Sequence, residues 1–362
     1  MGNFNASKGW TILLPSDISY VMKAAEDLSR YIGLLANGGA VGNTDGVNAG
    51  DGEGASKAPI VDALGPAPEG AVIVLSSGYY DCDRNGFSWR AGEDRVEISG
   101  DSGRGLCNGI YSFLAALGIN WPAPGQEEIP TPATPATPAN DASGARLFPL
   151  ASTGELSPPD GDLRRFVPEG KNEIKKLLNK GEAFVEWMAR RRYDALVFPL
   201  AVYTSGSSGR KLEQLRYIAK EYGIALEAGG RELTSLVPRS YFLLHREFFR
   251  MDEGKRKKDH HFCPTSPDVT RLIAKEIERL SRFMPDATVI HLWPDKGAET
   301  AWCSCPTCRA FSSLEQNRIA INAAADALAA LNRDTLISYF EKPGENGKIK
   351  PRKNTFSLSE IP

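Results

Sequence analysis

Thr288 to Arg309 reads TVIHLWPDKGAETAWCSCPTCR, and the reading of this stretch decides the fold. Its first part, Thr288-Val289-Ile290-His291-Leu292, is β-branched and apolar, the pattern of a buried strand. The strand runs out at Trp293-Pro294-Asp295, which brings an aromatic ring and a carboxylate to its C-terminal end. Cys303, Cys305 and Cys308 follow within six positions, a C-x-C-x2-C spacing that metals or redox chemistry can use. Parallel α/β folds keep their chemistry at the C-terminal ends of their strands.

Outward from this corner, strands and helices alternate. A helix over 171–191, with Phe184, Trp187 and Met188 inward, leads to the strand Ala195-Leu196-Val197-Phe198. A helix over 211–222 leads to Ile224-Ala225-Leu226, and Pro267 opens a helix through Phe283. The last helix, 316–331, precedes Leu336-Ile337-Ser338-Tyr339-Phe340, and 147–152 is a further candidate strand. Such β-α repetition predicts a parallel sheet with right-handed crossovers. Five strands fit, and the polar tail GENGKIKPRKN offers no sixth. A closed (β/α)8 barrel takes about 250 residues, more than the stretch 146–362 supplies. The expectation is therefore a TIM-like barrel over 146–362 that is incomplete or truncated.

Ahead of it, TPATPATPAN marks a Pro/Thr/Ala linker over 131–145. Residues 1–130 predict a small α+β accessory domain. Trp10 to Leu14 is a strand, and Ser16 or Asp17 can cap a helix over 18–35. Ala71 to Leu75 is another strand, and Phe87–Arg90 with Arg95–Ile98 reads as a hairpin. A helix over 105–117 stops at Gly118. The Gly-, Asn- and Asp-rich run 37–57 has almost nothing to bury and predicts a disordered insertion.

Of the 362 residues, 41% are hydrophobic and 24% charged, ordinary for a soluble globular protein. The 43 basic and 45 acidic residues leave a net charge of −2, so no overall field favours nucleic acid or an anionic membrane. Lys255-Arg256-Lys257-Lys258 reads as a solvated basic loop. No stretch reaches the ~18 apolar residues of a membrane span. MGNFNASKGW lacks the apolar core of a secretory signal, and Ala6 breaks the myristoylation pattern. As written, the chain is expected in the cytoplasm, and its crowded cysteines suit a reducing compartment. The oligomeric state is left open.

The run Ser99-Gly100-Asp101-Ser102-Gly103-Arg104-Gly105-Leu106, with Tyr111-Ser112-Phe113-Leu114 and Leu117-Gly118-Ile119-Asn120-Trp121-Pro122-Ala123-Pro124-Gly125, resembles the accessory domain before the barrel in α-glucuronidases and β-hexosaminidases. Together with Cys263-Pro264 and the Asp295…Cys303-x-Cys305-x2-Cys308 corner, it resembles a bacterial family of unknown function, number 4838. That resemblance covers nearly the whole chain and implies a glycosidase-like barrel that processes carbohydrate. Hexosaminidases end their fourth strand with adjacent Asp-Glu, whereas Asp295 is followed here by Lys296, a departure from their substrate-assisted pattern.

Glycoside hydrolysis needs one carboxyl to protonate the leaving oxygen and a second as base or nucleophile. Asp295 is the candidate acid; Glu341, after Tyr339-Phe340, and Glu227, after Ala225-Leu226, are candidates for the second. The plainer alternative is that these acids cap helices or pair with Lys296 or Arg231. Sugars stack on aromatic rings, which makes Trp293 a candidate for binding, with His291, Arg231 and Tyr203 beside it. His291 fits a core role equally, and Tyr203 fits an ordinary loop position. The cysteines admit three readings: zinc ligands completed by Cys263 or His261, a redox pair at Cys305 and Cys308, or plain structural thiols. No cofactor is expected for catalysis, and zinc held by thiolates alone would be structural. The function expected is a glycoside-hydrolase-like protein acting on carbohydrate. The alternatives are a non-catalytic carbohydrate binder on the same scaffold, or a metal or redox module built on the cysteines.

Overall fold

The computed structural model describes residues 2–14, 18–37, 57–65, 68–78, 85–131, 147–150, 153–156, 163–206, 208–285, 287–342 and 344–360. The chain divides into two compact units. One comprises Met1–Arg165, Asn179–Ala195 and Leu215–Ile224; the other comprises Phe166–Leu178, Leu196–Gln214 and Ala225–Pro362. No described helix is long and apolar enough to cross a membrane.

The first unit begins with β1 (Gly2–Asn5), β2 (Thr11–Leu14), α1 (Ser19–Asn37), β3 (Ile60–Asp62) and β4 (Val72–Ser77). It continues with β5 (Phe87–Ala91), β6 (Arg95–Gly100), α2 (Gly103–Ala116), β7 (Leu147–Leu150) and β8 (Thr153–Leu156). Its main sheet has the order β3-β2-β4-β6-β5-β8. Alternation along the strands buries Ile12, Leu14, Ile73, Leu75, Val96 and Ile98, the half-buried pattern a sheet covered by helices requires. Gly100 is obligatory where β6 turns into α2, because a Cβ there would lie 2.0 Å from the Leu106 nitrogen. Ser102 caps α2 by accepting the Gly105 N–H at 3.0 Å. The expected hairpin is β5 and β6.

The strand expected over 147–152 does not join the parallel sheet of the other unit. β7 pairs antiparallel with β1, and β8 pairs with β5. The helix expected over 171–191 is broken at Lys180 into α3 (Gly170–Asn179) and α4 (Gly181–Arg190). α4 belongs to the first unit: Arg190 clasps Asp27 with two hydrogen bonds of 3.0 Å, and the Trp187 indole donates to the Trp121 carbonyl. Most of the linker and of the 37–57 insertion, and the caps Ser16 and Asp17, lie outside the described residues.

The second sheet has the order β16-β15-β14-β11-β10-β9. Its strands are β9 (Arg165–Phe166), β10 (Ala195–Phe198), β11 (Ala225–Gly230), β14 (Val289–Leu292), β15 (Leu336–Phe340) and β16 (Thr355–Leu358). β11, β14, β15 and β16 run parallel. Between them come α5 (Leu200–Thr204), α6 (Gly209–Glu221), the ribbon β12 (Met251–Asp252) and β13 (Lys255–Arg256), α7 (Pro267–Ser281) and α8 (Ser313–Ala330). Every residue of β10 and β14 is buried, as strands covered on both faces must be. The architecture is the expected α/β one: a small α+β unit and a partial TIM-like barrel.

Contrary to the sequence reading, the tail supplies a further strand, β16. The polar run before it is tied to α8 by side chains. Arg318 and Asn322 donate to the carbonyls of Ile349 and Lys350, Glu315 accepts the Lys348 N–H, and Asn354 donates to the Ala325 carbonyl. α8 itself starts in a capping box made by Ser312 and Glu315.

Candidate functional site

The parallel strands carry polar groups at two levels. The inner level is dry: Glu227 is 1% exposed, and His291, Ser338 and Trp293 are 0% exposed. Register sets His291 beside Ser338 on the neighbouring strand. His291 Nε2 lies 2.8 Å from a Glu227 carboxylate oxygen, and its Nδ1 lies 2.5 Å from Ser338 Oγ. The Trp293 indole N–H donates to the same hydroxyl at 2.9 Å. Tyr203, also buried, donates its hydroxyl hydrogen to the Glu227 carbonyl at 3.0 Å. A buried carboxylate is tolerated only with such partners.

Three expectations are corrected by this layer. Glu227 is not at a strand end, because β11 runs on to Gly230. Gly229, at φ +105°, lies tight against β14: a Cβ there would meet the His291 carbonyl oxygen at 2.1 Å. The strand read as ending with Ala225-Leu226 continues through Gly229 and Gly230. Trp293 offers no ring face to a sugar, and Tyr203 is an interior group and not a mouth residue. His291 takes the core role that the sequence left open beside the pocket role.

The outer level lies past the strand ends and is half-buried. Glu232, two residues after β11, accepts the Leu200 N–H at 2.6 Å. Burial holds its carboxyl above the usual range, against the opposing pull of that bond. Sequence reasoning missed it by ending the strand too early. Asp295 follows β14 and accepts the Thr234 hydroxyl, with oxygens at 3.0 and 3.2 Å. Arg231 donates to the Pro294 carbonyl at 3.4 Å and stands 3.6 Å from Glu299. Glu341 follows β15; it takes the Arg318 guanidinium at 2.7 Å and the Tyr339 hydroxyl at 2.9 Å. Its cation is thus Arg318, which the sequence did not suggest, and not Lys296 or Arg231. A shallow, open pocket is lined by Pro294, Glu299, Trp302, Phe340 and Glu341 among others. Carboxyls at such a rim can exchange protons with a ligand.

The cysteines form a separate centre. Cys263 precedes α7, and Cys303, Cys305 and Cys308 lie on the loop between β14 and α8. All four are buried, unlinked, and have Sγ atoms within 4.8 Å of one another. Cys263 Sγ is 3.8 Å from Cys305 and 3.7 Å from Cys308. The N–H groups of Met251 and Cys308 donate to the sulfurs of Cys303 and Cys305 at 3.2 and 3.5 Å. Arg256 also turns inward, reaching Cys303 Sγ at 3.8 Å and the Phe249 carbonyl, so the basic run is not wholly a solvated loop. Hydrogen bonds from Cys303 and Cys308 favour the thiolate at Cys263. The fourth member is therefore Cys263 and not His261. His261 stacks on Trp302 with centroids 4.0 Å apart, and its Nε2–H donates to the Ala298 carbonyl at 2.9 Å. Burial lowers its pKa to about 4, so the ring is neutral. Four soft donors this close can hold a metal ion.

No family model matches the chain, and no curated protein does. Solved structures do match. A GH20 chitobiase from Flavobacterium johnsoniae aligns over 99% of this chain and 52% of its own, at 12% identity and a TM-score of 0.51. A GH20 β-N-acetylhexosaminidase from Streptomyces coelicolor A3(2) aligns over 98% of this chain and 66% of its own, at 10% identity and a TM-score of 0.49. The chain spans between about half and two thirds of the length of these structures. At such identity the chitobiase match shows the fold alone, and that fold is glycoside-hydrolase-like.

Proposed function

We propose that this chain binds a carbohydrate at the C-terminal rim of its parallel sheet, with Asp295, Glu341 and Glu232 as the carboxyls that meet it. One observation carries the reading: half-buried acids follow three neighbouring strands, β11, β14 and β15, and the last of them, Glu341, lines an open pocket together with Pro294, the residue before Asp295. The glycosidase-like fold supports the same direction. Trp302 and Phe340, at the pocket, take the stacking role first read into Trp293. Asp295 is the proton donor if turnover occurs, with Glu341 as the second carboxyl. Protein carboxyls supply all of this chemistry, so it calls for no catalytic cofactor. Lys296 stands where the hexosaminidase pattern has its second acid, which favours the binding reading over hydrolysis.

A glycan array including N-acetylglucosamine oligomers, and a panel of aryl glycosides, test this on wild type, Asp295→Asn and Glu341→Gln. Loss of a charge-assisted bond to a sugar hydroxyl costs about 1.5–3 kcal/mol, so each variant should weaken binding tenfold or more. Binding unchanged in both variants would move the site elsewhere. Turnover that survives Asp295→Asn would exclude that residue as the acid.

A further inference from the structure

We propose that Cys263, Cys303, Cys305 and Cys308 hold one tetrahedral zinc ion in a closed, structural site. The inference rests on the thiol geometry and is independent of the carbohydrate reading. Zinc–thiolate bonds are about 2.3 Å, so sulfurs at the corners of a tetrahedron stand about 3.8 Å apart. The two separations from Cys263 are 3.8 and 3.7 Å, and the whole quartet lies within 4.8 Å. An iron–sulfur cluster places sulfide and several irons between its cysteines and would spread them further. Four thiolates also saturate a tetrahedral ion, which leaves no position for substrate or water.

The surroundings fit a doubly negative tetrathiolate centre. The Met251 and Cys308 amides donate to two of the sulfurs, and the Arg256 guanidinium supplies positive charge on one side. The thiolates come from two separate stretches, Cys263 after the β12–β13 ribbon and the other three on the loop before α8. Zinc thereby joins the two stretches that carry His261 and Trp302, whose rings stack and of which Trp302 lines the pocket. The ion acts as a rivet for one wall of the pocket and takes no part in bond breaking.

Elemental analysis of the full chain purified under reducing conditions should find about one zinc per molecule and no iron or labile sulfide. Cobalt(II) exchanged for zinc should give the intense visible absorption of tetrahedral cobalt with thiolate charge transfer. Cys263→Ser should change that spectrum to a three-sulfur type. Because that variant can unfold, alkylation of wild type provides a second reading: all four cysteines should be protected with zinc and labelled together once a chelator removes it. The proposal is overturned if folded, reduced wild type shows no cobalt–thiolate spectrum. It is overturned equally by iron with sulfide, by a Cys305–Cys308 disulfide in the native chain, or by alkylation rates indifferent to chelation.

Discussion

Glu227 and Glu232 stand five positions apart in sequence, on and just beyond the same strand, and their surroundings are opposite. Glu227 is sealed inside the sheet against His291, while Glu232 is half-exposed with a backbone amide as its partner. The same contrast recurs on β14, between His291 within the strand and Asp295 beyond it. Depth along a parallel strand separates polar groups that hold the sheet together from those free to meet a ligand. The inner ones cannot lose a partner without leaving charge in a dry place.

The largest expected effect lies at the inner level. Glu227→Ala leaves His291 without its carboxylate and should cost roughly 3–5 kcal/mol of stability in urea unfolding; a loss under about 1 kcal/mol would erase the distinction between the levels. Gly229→Ala drives a Cβ at the His291 carbonyl in a left-handed backbone and should cost roughly 2–4 kcal/mol. At the outer level the effects on stability shrink. Thr234→Val removes one hydrogen bond from Asp295 and should cost about 1 kcal/mol or less. Asp295→Asn should stay within about 0.5 kcal/mol of wild type in stability while its ligand binding falls; a large stability loss would make Asp295 a structural group like Glu227.

The smallest effect is a pH dependence at Glu232. Its folded pKa is raised above the ordinary 4.5, chiefly by burial, so the folded chain keeps this proton longer than the unfolded chain. That contribution is fully present below 4.5 and fades as pH rises through the window above it. Glu232→Gln should remove this fall, flattening the curve of melting temperature against pH just above 4.5. A curve that overlays wild type would show that Glu232 is no differently placed from an exposed acid.

Much of the inner architecture was legible because it follows from apolar runs. Ala195–Phe198, Val289–Leu292 and Leu336–Phe340 are strands as read, and the thiols near Cys305 gather with Cys263. The errors came where backbone contacts or side-chain hydrogen bonds decide the structure. Gly229 and Gly230 have the composition of a turn, yet their lack of side chains is what lets β11 continue against β14. Stopping that strand early put Glu227 at the rim and hid Glu232. The tail before β16 looks unable to fold because it has little to bury, but its carbonyls and amides are met by α8. Leu147–Leu150 suits either sheet by composition, and only its long-range pairing with β1 assigns it.

The polar side chains of α8 have a kinetic consequence. Gln316 bonds the Cys303 amide and the carbonyls of Cys303 and Cys308, Asn317 holds the Phe340 carbonyl, and Asn322 holds the Lys350 carbonyl and the Arg352 amide. Three stretches of irregular or strand-end backbone, before and after α8 in sequence, thus borrow their partners from one helix. Such a group opens as a unit. The amides of Cys303, Lys348 and Arg352 should exchange their hydrogens with solvent at a common rate set by the unravelling of α8, and not each at the pace of its own loop.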